Sequence, residues 1–165
     1  MYSTIAEQAG SGPLQTALEV VDDAIEQLIK TVDAGAVTDL GAFSLVDVLQ
    51  SMERIRNKLP VVDRALIQHG TEQGHPGVLS ERTMVGVLKN GLRISAGEAV
   101  RRVKAAEHLA DRTSMVGEPL APVREHLSAA QRDGAVTPEQ VSLIDQTLRK
   151  VTHCDPERIV MGEEL

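Results

Sequence analysis

Residues 92–112, LRISAGEAVRRVKAAEHLADR, contain the start signal of a helix and the one basic helix pattern of the chain. Ser95 is followed three residues later by Glu98, the spacing of a capping box, in which each side chain bonds the backbone N–H of the other residue. We therefore expect a helix from about Ala96 to Arg112. The alternation of apolar and polar residues that marks a strand occurs nowhere at convincing length. The sequence thus predicts an all-α fold.

The charge of this region differs from that of the rest of the chain. Residues 82–112 hold seven Lys or Arg against three Asp or Glu, whereas the chain of 165 residues has a net charge of -7. Attraction to DNA phosphates needs clustered cations, so any contact with a polyanion is expected here. Tyr2 and Phe43 are the only aromatic residues, which argues against stacking on single-stranded bases.

A shorter helix, capped by Ser80 and ending at Asn90 with Gly91 at the left-handed stop, is expected before this basic helix. The predicted order is a short helix, a tight turn and a capped basic helix. This order is that of a helix-turn-helix motif, whose second helix enters the major groove of DNA. The DNA-contact candidates are Arg93, Arg101, Arg102, Lys104 and Arg112. The alternative is a solvated helix face with a local ion pair between Glu98 and Arg102.

The heptad spacing of paired helices runs through the N-terminal part of the chain. Between Pro13 and Asp33 the apolar residues recur at steps of four and three: Leu14, Leu18, Val21, Ile25, Leu28 and Val32. This pattern predicts a helix that packs along another helix. Pro13 suits the first turn of that helix, and Gly35 suits its C-terminal end.

A second helix with the same spacing is predicted from Ser44, its expected cap, to His69, with Pro60 kinking or dividing it. The interaction seam candidates on it are Leu45, Val48, Met52, Ile55 and Leu59. Two such helices joined by a short loop suggest a long antiparallel hairpin. The competing arrangement exchanges helices between two subunits.

The loop at residues 69–77 is rich in glycine and is the predicted junction between a helical hairpin at residues 1–70 and a helical bundle at residues 78–165. In the bundle we expect a helix from Leu120 to Asp133, stopped by Gly134. A final helix should follow, with its start signals at Thr137, Pro138 and Gln140, and Asp155 and Pro156 should open one last turn. The fold class is therefore all-α: a long hairpin followed by a compact bundle with a helix-turn-helix-like element.

The sequence contains no residue pattern that is typical of an active site or a metal site. One cysteine, Cys154, and the absence of a His-x3-His pair exclude the usual structural zinc pattern. The sequence has no G-x-S-x-G nucleophile elbow and no Gly-rich phosphate loop followed by lysine. We expect no enzyme activity, no metal and no cofactor. The start of the chain lacks a signal-peptide pattern and no apolar run reaches bilayer length, so a soluble cytoplasmic protein is expected.

The chain resembles a known family over the region from about Leu45 to the end. The resemblance rests on LRISAGEAVRRVKAAEHLAD and on PLAPVREHLSAAQRDGAVTPEQVSLIDQTLRKV. These stretches are similar to the 13E12-repeat proteins of actinobacteria, which contain a helical domain of unknown function. The matching positions are Leu92, Ile94, Ser95, Glu98, Ala99, Arg101, Arg102, Gly134, Val136 and Glu139.

The resemblance implies an accessory role beside a nuclease, because the helical domain of that family commonly precedes an HNH nuclease module. No such module follows in this sequence, so its activity is assigned to no residue here. The expected function is a non-catalytic module that binds or targets double-stranded DNA. The alternative is a protein-interaction module acting through the heptad helices. The expected partners are accordingly double-stranded DNA, a nuclease module or a second copy of the chain, and not a membrane.

Overall fold

The computed structural model of the chain describes residues 12–114 and 116–151. Its helices are α1 (Pro13–Thr31), α2 (Ala42–Glu72), α3 (His75–Val78), α4 (Met84–Gly91), α5 (Ala96–Leu109), α6 (Glu125–Arg132) and α7 (Pro138–Lys150). A π-helical turn, Val32–Ala36, continues α1, and two strands of two residues, β1 (Arg112–Thr113) and β2 (Pro119–Leu120), pair antiparallel. The prediction of an all-α fold is confirmed.

The chain divides into two units after Leu49. The first unit contains α1, the π-helical turn and the first residues of α2, and none of the residues of α1 is buried. Gly35, with φ of 93°, interrupts the helical backbone inside this turn, one residue before the turn ends at Ala36. The predicted division at residues 69–77 and the predicted hairpin stay predictions. Residues 69–77 lie within the second unit and are not a loop as predicted, because they contain the end of α2 and the first three residues of α3.

Two aliphatic clusters form the core of the second unit. The first joins α2, α4 and α5, and its buried members are Ile67, Leu88, Ala99 and Ala106. The second joins α5, α6 and α7, and its buried members are Leu109, Leu127 and Val141. Each fully buried leucine or isoleucine contributes roughly 1.5–3 kcal/mol. Because α5 supplies residues to both clusters, it is the central helix of the unit.

Helix α2 begins earlier than predicted and is not divided. It starts at Ala42, two residues before the expected cap Ser44, and its first hydrogen bond runs from the Leu45 N–H to the Gly41 carbonyl at 2.9 Å. Pro60 lies inside the helix. Of the two predicted effects of Pro60, division of the helix is therefore wrong, and a kink stays a prediction.

Packing on both sides of Pro60 explains why the helix continues. A proline removes one helical hydrogen bond and normally costs about 3 kcal/mol in a helix interior. Here Asn57 before it, and Arg64 and Ile67 after it, are buried in the second unit. These tertiary interactions offset the lost hydrogen bond, so the helix continues past Pro60, which the local pattern of apolar residues did not indicate.

The start of α4 also differs from the prediction. Thr83, not Ser80, is its cap, and the Thr83 hydroxyl accepts a hydrogen bond from the Gly86 N–H at 3.2 Å. A cap residue needs extended backbone, which Thr83 has, whereas Ser80 has a φ of 60°. The helix therefore begins one turn later than expected.

In the turn before α5, Arg93 and not Gly91 adopts the left-handed conformation, with φ of 55°. Gly91 is instead the last residue of α4. The Ser95 hydroxyl accepts a hydrogen bond from the Glu98 N–H at 3.1 Å, which is one half of the predicted capping box. The other half is not formed within the described residues, because the Glu98 carboxylate accepts from Arg101 and Arg102. The start of the basic helix is thus confirmed, and the stop of the preceding helix is corrected.

Helix α5 ends at Leu109, and the backbone becomes extended at Ala110. Arg112 therefore lies in β1, where it is the register partner of Leu120 in β2. Because Leu120 is in this ribbon, α6 begins only at Glu125, not at Leu120 as predicted. The local pattern could not indicate this, since a two-residue ribbon leaves no alternation to detect.

The last helix follows its start signals. The Thr137 hydroxyl accepts from the Gln140 N–H, the Gln140 side chain accepts from the Thr137 N–H, and Pro138 is the first helical residue. Gly134, with φ of 76°, ends α6 as expected. The predicted last turn at Asp155 lies outside the described residues.

Gly134 makes the closest approach between the α6–α7 turn and α2. Its carbonyl accepts a hydrogen bond from the Asn57 side-chain amide at 3.1 Å. A Cβ atom at this position would overlap the backbone carbonyl of Arg54, and the positive φ disfavours any side chain. Glycine is therefore required here by both the conformation and the available space.

We predict that Gly134→Ala lowers the free energy of unfolding by about 3 kcal/mol, from left-handed strain together with overpacking. Urea denaturation measures this loss. The matched control is Gly74→Ala, because Gly74 also has a positive φ, 67°, but a Cβ atom added there would meet no neighbour within 4 Å. The control should cost about 1 kcal/mol. Equal losses in the two variants would contradict the close approach to α2.

Candidate functional site

Two of the three predicted DNA-contact residues on α5, Arg101 and Arg102, are held by carboxylates. The Arg102 guanidinium donates to Glu98 at 2.8 Å and to Asp63 of α2 at 3.0 Å. Arg101 forms an ion pair with the other oxygen of Glu98. Both cations are thus partly neutralised by acids of the second unit, and the ion pair between Glu98 and Arg102 that the alternative interpretation expected is present.

The other three candidates lie in different settings. Arg112 is not on the helix, and its guanidinium donates two hydrogen bonds to the Ala121 carbonyl, at 3.1 and 3.0 Å. Arg93 is exposed in the turn before α5, and Lys104 is exposed on α5. Neither Arg93 nor Lys104 has an ion pair among the described residues. The five DNA-contact candidates therefore do not all lie on one helix, and two of them, Arg93 and Lys104, are unpaired within the described chain.

The interaction seam residues on α2 lie largely at the surface. The exposed fractions are 42% for Leu45, 46% for Val48, 55% for Ile55 and 52% for Leu59, whereas Met52 is half-buried. The six residues of the α1 seam, of which Val32 lies in the π-helical turn that continues the helix, are also between 43% and 54% exposed: Leu14, Leu18, Val21, Ile25, Leu28 and Val32. Both seams therefore present aliphatic side chains that the chain itself does not bury.

A groove of about 510 Å³ lies in the second unit between α2, α5, α6 and α7. Five cations line it: Arg64, Arg101, Arg102, Lys104 and Arg149. Three acids line it: Asp63, Glu98 and Asp145. The remaining wall is largely apolar, with Val100, Leu109 and Val141 among its members. The groove thus combines an excess of positive charge with an aliphatic surface.

Cations of the second unit already engage the acids of the groove. Asp145, whose side chain is 7% exposed, binds Arg149 at 2.8 Å and the His108 Nδ1 at 2.8 Å, and the Arg124 Nε lies 3.7 Å away. As described above, Glu98 and Asp63 are engaged by the arginines of α5. The carboxylates are therefore used for holding helices together.

Arg64 differs from the other cations of the groove. It is 3% exposed, and its guanidinium donates to two neutral side-chain oxygens, Gln131 Oε1 at 2.6 Å and Ser128 Oγ at 3.3 Å. Burial and the nearby Arg132 lower its pKa to about 10, against a smaller raising effect of Asp111. The group stays protonated at neutral pH. A buried positive charge at the wall of a groove, with neutral hydrogen-bond partners, is the most unusual feature of the unit.

Sequence reasoning did not find Arg64 or its partners. A signal was present, because Asn57 and Arg64 are seven residues apart on α2 and so lie on one face, as do Ser128 and Gln131 at a spacing of three on α6. Polar residues at such spacings are normally read as surface. Only their burial distinguishes them from a solvated face.

Metal ligands are not gathered in the described part of the chain. Within residues 12–114 and 116–151, no three His, Cys, Asp or Glu side chains come together in a way that could hold an ion. His153 and Cys154 lie outside these residues. No helix of the described segments has the length and apolar character needed to cross a membrane.

Relatives of the chain occur in mycobacteria. An uncharacterised protein of Mycobacterium tuberculosis is 30% identical over 158 residues, which are 93% of this chain and 32% of the relative. A second one from the same species is 31% identical over 140 residues, 85% of this chain and 62% of the relative. An uncharacterised Mycobacterium bovis protein is 32% identical over 108 residues, 66% of this chain and 24% of the relative. The chain thus spans less than two thirds of the length of each.

No solved structure matches the chain. One protein family does, over residues 46–164, and it is described as a domain of unknown function, DUF222. The match includes most of α2 and all the helices that follow it, together with the groove. Because it covers well over half of the 165 residues, the chain belongs to the DUF222 family.

Proposed function

We propose that the chain is a non-catalytic helical module that pairs with a second copy of itself through the heptad seams of α1 and α2. The observation that carries the proposal is the exposure of the seams. Helix α1 has no buried residue, although its five heptad positions and Val32, in the π-helical turn that continues it, are all aliphatic. Amphipathic helices gain most of their stability from burying such a face, so an unburied seam favours a partner helix.

Charge complementarity supports a second copy as the partner. Helix α1 has one cation, Lys30, and four acids: Glu19, Asp22, Asp23 and Glu26. The stretch of α2 that holds the seam, residues 45–59, has three exposed cations, Arg54, Arg56 and Lys58, and two exposed acids, Asp47 and Glu53, of which Glu53 pairs with Arg56 at 3.2 Å. Its net charge is therefore +1, against -3 for α1. Two copies of α1 would repel each other, whereas α1 of one copy against α2 of another brings unlike charges together. This is the exchanged arrangement that the heptad spacing leaves open.

The apolar contribution is large enough to support pairing. Completing the burial of a half-exposed Leu, Ile or Val contributes about 1 kcal/mol. Six such positions on the α1 seam, matched by those on α2, offset the loss of translational and rotational freedom on association, which is roughly 4–15 kcal/mol. We therefore expect a dimer that dissociates on dilution.

A second candidate function is contact with double-stranded DNA beside a nuclease. It is favoured by Arg93 and Lys104, which are exposed, unpaired within the described chain, and placed in and after the turn of the α4–α5 element. The resemblance to 13E12-repeat proteins adds an HNH nuclease as the associated activity. The greater length of the mycobacterial relatives leaves room for such a module in them. In this proposal the chain targets the nuclease and carries out no reaction itself.

We predict that the wild-type chain has twice its monomer mass of 17.8 kDa in light scattering at high concentration and approaches the monomer mass on dilution. Ile25→Asp places a charge in the seam of α1, and it should shift dissociation to concentrations at least about tenfold higher, because a buried unpaired charge is costly. Since no residue of α1 is buried, the variant should keep its helical circular dichroism.

The matched control for this prediction is Val20→Asp. Val20 is on the same helix and 63% exposed, but it lies outside the heptad positions. It should leave the dissociation unchanged. A wild-type mass equal to the monomer at every concentration, or equal effects of the two variants, would contradict pairing through the seam.

For the second candidate, fluorescence anisotropy with duplex DNA should show affinity that falls with salt, as phosphate neutralisation requires. Replacing both Arg93 and Lys104 by Gln should reduce the slope of log K against log salt by about 2, one unit for each phosphate that is no longer neutralised. Arg102→Gln should change it less, because Asp63 and Glu98 already hold that guanidinium.

Lys30→Gln is the control for net charge, since Lys30 is an exposed cation on α1, outside the α4–α5 element. It should leave the slope almost unchanged. DNA contact by the basic helix is refuted if the Arg93 and Lys104 double variant behaves like Lys30→Gln, or if the wild type fails to bind at low salt.

A further inference from the structure

The groove contains more positive charge than its own acids compensate. Glu98 is shared by Arg101 and Arg102, and Asp145 is engaged by Arg149 and two further basic side chains. Among the described residues this leaves two cations of the groove without a carboxylate partner, Arg64 and Lys104. They lie on different helices, α2 and α5, and line the same groove.

Arg64 is fixed in place by a rigid set of neutral groups. Gln131, which is 1% exposed, accepts from one terminal nitrogen of the guanidinium, and Ser128, which is 3% exposed, accepts from the other. Ser128 in turn donates to the Leu109 carbonyl at 2.8 Å. These bonds orient the cation without neutralising it. Such preorganised guanidinium groups bind carboxylates and phosphates with little loss of side-chain freedom.

The removal of a charge from water is expensive unless an opposite charge accompanies it. The lowered pKa of Arg64 records this desolvation. An anion in the groove would supply the missing charge. The alternative is that Arg64 has a structural role only, through its two hydrogen bonds. That role explains how α2 is joined to α6, but it does not explain why the cation lies at the wall of a groove that also contains an unpaired lysine.

The geometry points to a binding site in this groove for a small organic anion, a carboxylate or phosphate monoester attached to an apolar body. Its charged end lies against Arg64 and Lys104, and its apolar end lies against Val100, Leu109 and Val141. The volume of about 510 Å³ is typical of small-molecule sites. A DNA phosphate is a poor occupant, because Arg64 is only 3% exposed and a duplex cannot enter a groove of this size. The site is independent of subunit pairing.

The test is isothermal titration of the full chain with octanoate and octyl phosphate, with 1-octanol and inorganic phosphate as partial probes. We expect saturable binding of at least one of the two amphiphilic anions, and binding at least about tenfold weaker for octanol, which lacks a charge to meet the guanidinium. Inorganic phosphate should also bind at least about tenfold more weakly, because it buries no apolar surface. The two anions distinguish a carboxylate site from a phosphate site.

Three variants test the residues. Lys104→Gln should weaken binding of the preferred anion up to about fivefold, as for a partly exposed ion pair. Arg64→Lys keeps the charge but loses the planar fork, and Arg64→Gln removes both, so the loss should increase in that order, to about tenfold or more. The control is Lys89→Gln, an exposed cation on α4 outside the groove, which should bind like the wild type.

Several results would overturn the site. These are no saturable binding of either amphiphilic anion, binding of octanol as tight as that of the anions, binding of inorganic phosphate as tight as that of octyl phosphate, or equal effects of Lys104→Gln and Lys89→Gln. If Arg64→Gln does not fold, the exposed Lys104 still decides the question. Amide chemical-shift changes in two-dimensional NMR, concentrated at Gln131 and Ser142 of the groove wall, would add support, and changes elsewhere only would count against the site.

Discussion

The second unit depends on one buried charge, the guanidinium of Arg64. It joins α2 to α6 through Gln131 and Ser128, and Ser128 carries the tie on to the end of α5 at the Leu109 carbonyl. Three helices thus meet at one side chain, between two modest aliphatic clusters. Removing one partner of a buried charge is costly, because the charge remains without compensation. This fixes the relation of α2 to α6 and α5 more tightly than the small aliphatic side chains alone would.

This anchoring of α5 changes the ligand that its basic residues are expected to bind. Because α5 is anchored at the centre of the unit, its cations Arg101, Arg102 and Lys104 line a groove that also contains acids of α2, α5 and α7, although Arg101 and Lys104 remain exposed. Arg101 and Arg102 serve as much to hold Glu98 and Asp63 as to attract a ligand. The positive charge of residues 82–112 therefore supports a concave anion site at least as well as a surface for DNA.

The sequence predicted the features that depend on local physics. The caps at Ser95 and Thr137 and the left-handed conformations at Gly35 and Gly134 are where their residue types indicate, and the all-α class follows from the spacing of apolar residues. The errors arose where distant interactions override local preference. Pro60 does not divide α2, because burial on both sides of it holds the helix together.

The groove could not have been found from spacing, for a similar reason. Arg64 and Gln131 are 67 residues apart, and nothing local distinguishes a buried polar residue from one at the surface. The five predicted DNA-contact residues are divided by the end of α5 at Leu109, which places Arg112 in a ribbon. Tertiary structure decided which cations were paired.

A double-mutant cycle between Arg64 and Gln131 tests the central claim most directly. The free energies of unfolding of Arg64→Met, Gln131→Leu and the double variant would be measured by urea denaturation. If the bond joins α2 and α6 as described, the sum of the two single losses should exceed the double loss by about 1.5 kcal/mol, the value typical of a hydrogen bond to a charged group. Additive losses would show that the two side chains do not interact, and would contradict the account.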